Sequence, residues 1–336
     1  MANEIVLSGI RPTGFLHVGN YFGAMVNYIK MQQDYQCYFF VANWHSLNTH
    51  PDTTELKQSV YRVIAEYIAC GIDPDKACLY VQSEIPEIAE LYLYLNTLAY
   101  KGELEKTTSF KEKARTQPNN INLGLLSYAV LQAADILIHR AKLVPVGKDQ
   151  EQHLEMARNF AQRFNQRYGN VFPEPIAFNF NQELVKIKSL DGQGKMSKSE
   201  HQNNTIFLND SPESIKKKIL RAKTDSGPEF ENQELPDYIQ NLFTIMRQVS
   251  SPETYHFFIE KYNKSSLNNC LIKYGEFKNQ LAEDLIKFLA PIREKTTQIL
   301  NDEDHIKKII KKGTEKARIS AQNTLDLVKK SMLLTY

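Results

Sequence analysis

Residues 5–146 alternate between short apolar runs and longer amphipathic segments, and this alternation constrains the fold more than any other feature of the sequence. Because the runs contain no regular polar positions, we expect both faces of each run to be buried, as in a parallel sheet. The intervening segments carry apolar residues at helical spacing, as Val18, Phe22, Met25 and Ile29 do. This order predicts an α/β fold with a doubly wound parallel sheet. The four runs are Ile5-Val-Leu7, Cys37-Tyr-Phe-Phe-Val-Ala42, Ala77-Cys-Leu-Tyr-Val81 and Leu143-Val-Pro-Val146.

The pattern changes near residue 205. Beyond that point apolar residues keep the helical period, Pro and Gly separate the segments, and no run is typical of a strand. We therefore predict two domains, an α/β domain over residues 1–205 and an all-helical domain over residues 206–336. The helices predicted in the second domain are Pro212–Lys223, Pro236–Arg247, Pro252–Tyr262, Leu271–Leu289 and Thr314–Leu334.

Composition excludes several classes of protein. The 336 residues are 42% hydrophobic and 24% charged, which is ordinary for a globular chain, and the net charge of +2 argues against a histone-like electrostatic clamp. The four cysteines form no CxxC pair, so we predict a reducing, cytoplasmic location without a disulfide scaffold. No run reaches the roughly 18 apolar residues of a membrane span, and the N-terminus does not have the pattern of a signal peptide.

One segment, residues 307–330, is strongly basic despite the balanced total. It contains eight basic and two acidic residues. Such a run is either the solvated face of a helix or a surface that faces a polyanion, and the sequence leaves both interpretations open. The basic residues are Lys307, Lys308, Lys311, Lys312, Lys316, Arg318, Lys329 and Lys330.

The first candidate for chemistry is the segment Ser8-Gly-Ile-Arg-Pro-Thr-Gly-Phe-Leu-His-Val-Gly-Asn20, which joins the first run to the first helix. His17 and Asn20 are three positions apart at a helix start, so they share a face beside the positive end of the helix dipole. That position suits phosphate oxygens, and Gly19 would let a ligand approach the backbone. The alternative is that His17 only caps the helix. The sequence has neither a GxGxxG fingerprint nor a P-loop.

The second candidate is Lys195-Met-Ser-Lys-Ser199, which follows the glycine-containing stretch Leu190-Asp-Gly-Gln-Gly194. Two ammonium groups in such a loop could hold the leaving phosphates of a triphosphate. At average residue usage the five-residue string would occur by chance in a chain of this length with a frequency on the order of 10⁻³ or below.

Together, His17-Val-Gly-Asn20 and the later Lys-Met-Ser-Lys-Ser string resemble the paired motifs of the class I aminoacyl-tRNA synthetases. The resemblance is closest to the bacterial tryptophanyl-tRNA synthetases, and it covers essentially the whole chain in the right order. The further segments that carry it are Leu7-Ser-Gly-Ile-Arg-Pro-Thr-Gly14, Trp44-His45, Phe110-Lys-Glu-Lys113, Leu131-Gln-Ala-Ala-Asp-Ile-Leu137, Val144-Pro-Val-Gly-Lys-Asp-Gln150, Gln152-His153 and Lys312-Gly-Thr-Glu-Lys-Ala317.

This resemblance implies a Rossmann-like catalytic domain and a helical domain that binds tRNA. The implied enzyme activates L-tryptophan with ATP, using Mg²⁺, to give tryptophanyl-adenylate and pyrophosphate, and then transfers tryptophan to the 3′ end of tRNA(Trp). It also implies a homodimer, for which we expect residues 100–125 to form part of the interface. The last helix is expected to pack back on the catalytic domain.

Asp135 is the residue from which we expect tryptophan selectivity. It lies in an apolar helical run, where a buried carboxylate needs a hydrogen-bond partner. From the sequence alone, that partner could be either the backbone of the core or a bound ligand. The resemblance makes it the acceptor of the indole N–H. The full set that the resemblance implies for tryptophan is Leu7, His45, Tyr128, Gln132, Asp135, Val144, Val146 and Gln150.

The resemblance likewise implies residues that bind ATP. Within this set, His17 and Asn20 of the first motif and Lys195 and Lys198 of the second are the expected catalytic groups, because they would neutralise charge on the leaving pyrophosphate. The expected ATP-binding residues besides His17 are Arg11, Thr13, Gly19, Asn20, Lys113, Gly147, Asp149, Lys186, Lys195, Met196, Ser197 and Lys198.

The sequence departs from better-known members of that family at Leu7, Arg11, Asn43 and Gln132. Some members carry an iron–sulfur cluster on four cysteines of the helical domain. Here Lys273-Tyr-Gly-Glu-Phe277 stands where two of those cysteines are expected, so we predict no cluster. We also predict no zinc site, because the histidines lack metal-ligand spacing.

Two alternatives to this function stay open at the level of sequence. A tyrosyl enzyme shares the fold. A non-catalytic relative that senses tryptophan or binds RNA would use the same scaffold, although it would not need the lysine-containing phosphate loop.

Overall fold

A parallel sheet forms the centre of the α/β part. The computed structural model describes residues 4–48, 52–147, 151–178, 185–194, 196 and 202–336. Within these ranges the sheet has five parallel strands in the order β3-β2-β1-β4-β5, which confirms the predicted doubly wound fold. The chain order reverses between β1 and β4, and this switch point is where such sheets bind ligands. The strands are β1 (Ile5–Ile10), β2 (Gln36–Val41), β3 (Cys78–Val81), β4 (Leu143–Val144) and β5 (Ile176–Ala177).

Four of these strands correspond to the four apolar runs. Strand β4 is shorter than its run, because Pro145 has no N–H with which to continue the ladder. The edge strand β5 was not predicted. It has only two residues, and neither is buried, so it leaves no periodic signal.

Helices cover both faces of the sheet, and alternate residues of β2 show the division. Phe39 and Val41 enter an apolar cluster with α2 and α4, whereas Tyr38 and Phe40 enter a second cluster with α5, α9 and α10. A sheet buried on both faces explains why the runs carry no polar alternation. The helices of this part are α1 (Val18–Asn20), α2 (Val26–Asp34), α3 (Asn43–Leu47), α4 (Leu56–Cys70), α5 (Pro86–Asn96), α6 (Lys101–Leu104), α7 (Thr108–Thr116), α8 (Leu123–Leu126), α9 (Tyr128–Ile138) and α10 (Glu151–Tyr168).

The C-terminal part is helical, with two helices longer than predicted. The prediction ended one helix at residue 289 before a proline, but the helix continues through Pro291 and buries Ile292 and Ile299. Burial of such side chains stabilises by about 1.5–3 kcal/mol each, which offsets the roughly 3 kcal/mol cost of an internal proline. None of the described helices has an apolar stretch long enough to cross a membrane. The helices are α11 (Pro212–Arg221), α12 (Asp237–Val249), α13 (Pro252–Asn263), α14 (Tyr274–Leu300) and α15 (Glu303–Ser331).

Helix α15 packs directly against β3. Gly313 lies so close to the strand that a Cβ on it would be 1.8 Å from the carbonyl oxygen of Leu79. The Cys78 thiol donates to the Gly313 carbonyl at 3.2 Å. Farther along, Arg318 donates two hydrogen bonds to one oxygen of Glu87 at the start of α5. The last helix therefore backs the edge of the sheet.

Candidate active site

A cavity of about 390 Å³ lies at the carboxyl ends of β1 and β4. The strand order reverses between β1 and β4, so the loops that follow these two strands diverge and leave a crevice. Side chains from the two strands, from one face of α9 and from the start of α3 meet in it. The residues predicted for tryptophan or ATP that line the cavity are Leu7, Arg11, His45, Tyr128, Gln132, Asp135, Val144, Val146 and Gly147.

Asp135 is the buried acid of this cavity, with 1% of its surface exposed. The ring atom Nε2 of His45 lies 2.7 Å from Oδ2, and Nε2 of Gln82 donates to Oδ1 at 2.8 Å and to Oδ2 at 3.0 Å. Burial raises the pKa of Asp135, while the hydrogen bond and charge of His45 and the hydrogen bond from Gln82 act to lower it. Its described partners are thus side chains rather than the backbone.

Two further polar atoms of the cavity lack a hydrogen-bond partner within the described residues. They are Nδ1 of His45 and Oε1 of Gln132, and both are buried. If His45 is neutral and its Nε2 donates to Asp135, Nδ1 is an acceptor, and Oε1 of Gln132 is an acceptor as well. An unsatisfied buried polar atom costs about 1–3 kcal/mol, so this arrangement suits a ligand that brings hydrogen-bond donors.

The ring of Tyr128 contacts both His45 and Lys113. Its ring centroid is 4.5 Å from that of His45, and Nζ of Lys113 lies 4.4 Å from the centroid of the tyrosine ring. Burial, followed by the nearby charge of Arg11, lowers the pKa of Lys113 to about 8. Lys113 therefore places an ammonium group beside the cavity that loses its charge close to neutral pH.

The first motif forms a reciprocal helix cap. The His17 ring accepts from the backbone N–H of Asn20 at 3.3 Å, and Oδ1 of Asn20 accepts from the N–H of His17 at 3.2 Å. His17 is 3% exposed and caps the helix, and its contact with phosphate stays a prediction. This cap fixes both side chains where β1 passes into the helices.

Met196 of the second motif, and the described residues near 206–208, lie against the first motif. A Cβ on Gly19 would be 3.5 Å from Cβ of Met196, which is buried. Backbone hydrogen bonds join Val18 N–H to the Ile206 carbonyl and Leu208 N–H to the Leu16 carbonyl, at 3.0 and 2.9 Å. The other predicted residues of this loop, and two predicted for the ligands, fall outside the described residues. They are Lys195, Ser197, Lys198, Asp149 and Gln150.

Six predicted ATP-binding residues that the structure describes are not among those that line the cavity: Thr13, Gly19, Asn20, Lys113, Lys186 and Met196. Thr13 is half-buried in the turn between β1 and α1, and Lys186 is exposed beside the buried Ile187. The sequence analysis also missed Gln82, which contacts Asp135. The available signal was its position directly after an apolar run, where polar side chains meet at the ligand-binding edge of a parallel sheet.

Comparison with known proteins identifies the class. The sequence profile described as tRNA synthetases class I (W and Y) matches residues 2–290, so the chain belongs to this family. The tryptophan–tRNA ligase of Porphyromonas gingivalis is 54% identical over 323 residues, which are 96% of this chain and 97% of that protein. The one from Prochlorococcus marinus is 40% identical over 342 residues, covering 99% and 98%.

A solved structure agrees with these relatives. Tryptophanyl-tRNA synthetase from Campylobacter jejuni, complexed with ADP and tryptophan, superimposes with a TM-score of 0.86 at 35% identity, covering 98% of this chain and 99% of that one. Within the class I family, this chain is therefore grouped with the tryptophan–tRNA ligases.

Proposed function

We propose that the protein is an aminoacyl-tRNA synthetase that forms tryptophanyl-adenylate and pyrophosphate from L-tryptophan and ATP, and then transfers tryptophan to tRNA(Trp). The observation that carries this proposal is the buried Asp135, held by two side chains in a cavity at the switch point of the sheet. The identity of 54% to a tryptophan–tRNA ligase over nearly the whole chain supports it.

In the proposed complex, tryptophan enters the cavity with its indole N–H directed at Asp135. Sites built on a substrate hydrogen bond reject analogues that lack it by about 10⁴–10⁵-fold, so phenylalanine is excluded by its missing N–H. The unpaired acceptors on His45 and Gln132 suit the remaining donors of the amino acid or ordered water. Leu7, Val144 and Val146 would pack against the apolar part of the substrate.

For adenylate formation we propose positioning and charge neutralisation rather than a protein nucleophile. A carboxylate oxygen of tryptophan bonds to the α-phosphorus of ATP, the bond from that phosphorus to the bridging oxygen breaks, and pyrophosphate leaves. His17 and Asn20 would lie on the phosphate side, with Lys113, Lys195 and Lys198 supplying positive charge.

Mg²⁺ would fit this site as the ion that accompanies ATP. Magnesium in such sites is held mainly by phosphate oxygens and water, with few protein ligands. Among the described residues there is no group of three His, Cys, Asp or Glu that could hold a metal, so the donors would come mostly from the substrate. The ion would neutralise charge on the phosphates.

We propose that residues 206–336 form the tRNA-binding domain, with a boundary near 205/206. In the basic segment 307–330, four cations pair within the protein: Lys307 with Asp304, Lys312 with Asp75, Arg318 with Glu87 and Lys329 with Glu90. A tRNA backbone would therefore meet chiefly the other exposed cations, and binding through them would weaken as salt rises. Those cations are Lys308, Lys311, Lys316 and Lys330.

We further propose a cytoplasmic homodimer. Large apolar side chains are exposed on and beside the segment 100–125, notably Tyr100, Ile121 and Leu123, which is 75% exposed. Large exposed apolar side chains within one segment favour an interaction surface, and a second copy of the chain is the occupant we propose.

The test of the function is amino-acid-dependent exchange of pyrophosphate into ATP by the purified protein. Exchange with tryptophan is expected, and tyrosine and phenylalanine should support little. Exchange with tyrosine alone would identify a tyrosyl enzyme, and no exchange with either would indicate a non-catalytic relative. Aminoacylation of tRNA(Trp) tests the second step.

A further inference from the structure

Gln82 occupies a fully buried position next to the selectivity acid. It follows β3 directly, in a short 3₁₀ turn, and has 0% of its surface exposed. All of its described side-chain hydrogen bonds serve the cavity. Its Nε2 lies 2.8 and 3.0 Å from the two oxygens of Asp135, and its Oε1 accepts the backbone N–H of Trp44 at 3.0 Å.

The geometry of these bonds determines what Asp135 can still accept. A carboxylate has about four acceptor sites, two on each oxygen. An amide nitrogen almost equidistant from both oxygens lies in the fork between them and occupies one site on each. His45 occupies a second site on Oδ2, 2.7 Å away. The described residues therefore leave one acceptor site, and it is on Oδ1.

The hydrogen bond that Gln82 accepts through its Oε1 helps to hold His45, the other partner of Asp135. Trp44 is the residue before His45 in α3, and its N–H is held by the Gln82 amide oxygen. One amide thus fixes the carboxylate with its nitrogen and the helix start that carries the histidine with its oxygen. Neither oxygen of Asp135 can rotate without breaking a bond to Gln82 or His45.

We propose that Gln82 is a positioning residue for amino-acid selectivity: it orients Asp135 so that a single acceptor site on Oδ1 is presented to the indole N–H of tryptophan. This inference rests on the proposed function. Gln82 lies behind Asp135, outside the residues that line the cavity, so it acts on the substrate through the carboxylate.

The test compares tryptophan with benzothienylalanine, in which sulfur replaces the indole N–H and the ring shape is kept. For the wild-type protein and for Gln82→Met, which keeps the length of the side chain but removes both polar groups, kcat/KM is measured for each amino acid by pyrophosphate exchange. We expect the ratio of the two values to fall at least about tenfold in the variant, mostly through KM for tryptophan. If the ratio stays within about twofold while both values fall together, Gln82 has only a structural role.

A matched control is Gln32→Met. Gln32 is also buried, donates to the Gly71 carbonyl at 2.9 Å and accepts from Asp73 N–H at 2.8 Å, away from the cavity. The same chemical change there should lower stability and leave the ratio unaltered. An equal change of the ratio in Gln32→Met would overturn the proposal, because it would then report general loosening of the fold.

A double variant tests the route of the effect. In an Asp135→Asn background, Gln82→Met should change the ratio little further, because the acid through which it acts is already gone. A full, independent further loss would contradict the proposal. If Gln82→Met does not fold, the apolar Gln82→Leu likewise removes the donor and should lower the ratio in the same way. Wild-type protein without tryptophan-dependent exchange would refute the proposed function instead, so the two failures are distinct.

Discussion

Replacing Gly313 by alanine tests how α15 is held against the sheet. In an open helix this change stabilises by about 1 kcal/mol, because alanine has the higher helix propensity. Here the new Cβ would be 1.8 Å from the carbonyl oxygen of Leu79, and that oxygen belongs to a strand paired with β2. To restore a contact of about 3.2 Å, the helix and strand must separate by roughly 1.4 Å, which disturbs packing as dense as that of an organic crystal.

The magnitude follows from these opposing terms. Overpacking typically costs about 1–3 kcal/mol, and a backbone neighbour that cannot rotate away places Gly313→Ala at or beyond the upper end. After the gain of about 1 kcal/mol from propensity, we expect a net loss of about 2 kcal/mol, or about 3 °C in Tm. The loss should appear in thermal and urea unfolding followed by circular dichroism.

The matched control is Gly275→Ala in α14, where a Cβ would meet no atom within 4 Å. It should be neutral or slightly stabilising. If Gly313→Ala is as stable as Gly275→Ala, the close approach of α15 to β3 is not present in solution, and the reasoning is refuted.

Three further predictions concern charge and surface. Because burial lowers the pKa of Lys113 to about 8, its side chain loses its positive charge as pH rises through that value. KM for ATP should therefore increase above pH 8 in the wild type and increase less in Lys113→Arg. Identical pH profiles of KM in the two proteins would exclude a contact between Lys113 and phosphate. Burial lowers the pKa of His139 from 6.5 to about 3 in the folded protein, so as pH falls the unfolded chain takes up this proton before the folded one does. The free energy of unfolding is therefore fully present above pH 6.5 and falls by about 1.4 kcal/mol for each pH unit below it. Urea titrations of His139→Gln should show a shallower acid loss, and an unchanged slope would refute the assignment. Leu123→Glu, at a side chain 75% exposed, should shift sedimentation toward a monomer without lowering Tm, whereas an unaltered dimer would place the interface elsewhere.

The sheet was predictable because its strands are buried on both faces, which leaves uninterrupted apolar runs such as Cys37–Ala42. The edge strand β5 gave no such signal, since its two residues are partly exposed. We predicted that the helix ends before Pro291 because proline has a low propensity for the interior of a helix. Long-range packing of α14 decides the outcome, and that information lies outside any local window.

The site was partly predictable for a similar reason. Asp135 stood out as an acid among apolar residues, and the resemblance gave it a role. Its partners could not be derived from spacing, because His45 and Gln82 follow β2 and β3 and meet α9 only through the topology of the sheet. Sequence also could not show that His17 and Asn20 cap each other, since that depends on the backbone angle at the helix start.

The backbone hydrogen bonds that tie Leu16 and Val18 to Leu208 and Ile206 have a consequence for the growing polypeptide. The ribosome synthesises Leu16 and Val18 long before Ile206 and Leu208. At a translation rate of roughly 5–20 residues per second, the interval is about 10–40 s. During that time the segment that contains His17 lacks its backbone hydrogen bonds to residues 206 and 208. A nascent or prematurely terminated chain that ends before residue 208 should therefore be inert toward ATP, so that synthesis itself delays the onset of nucleotide chemistry.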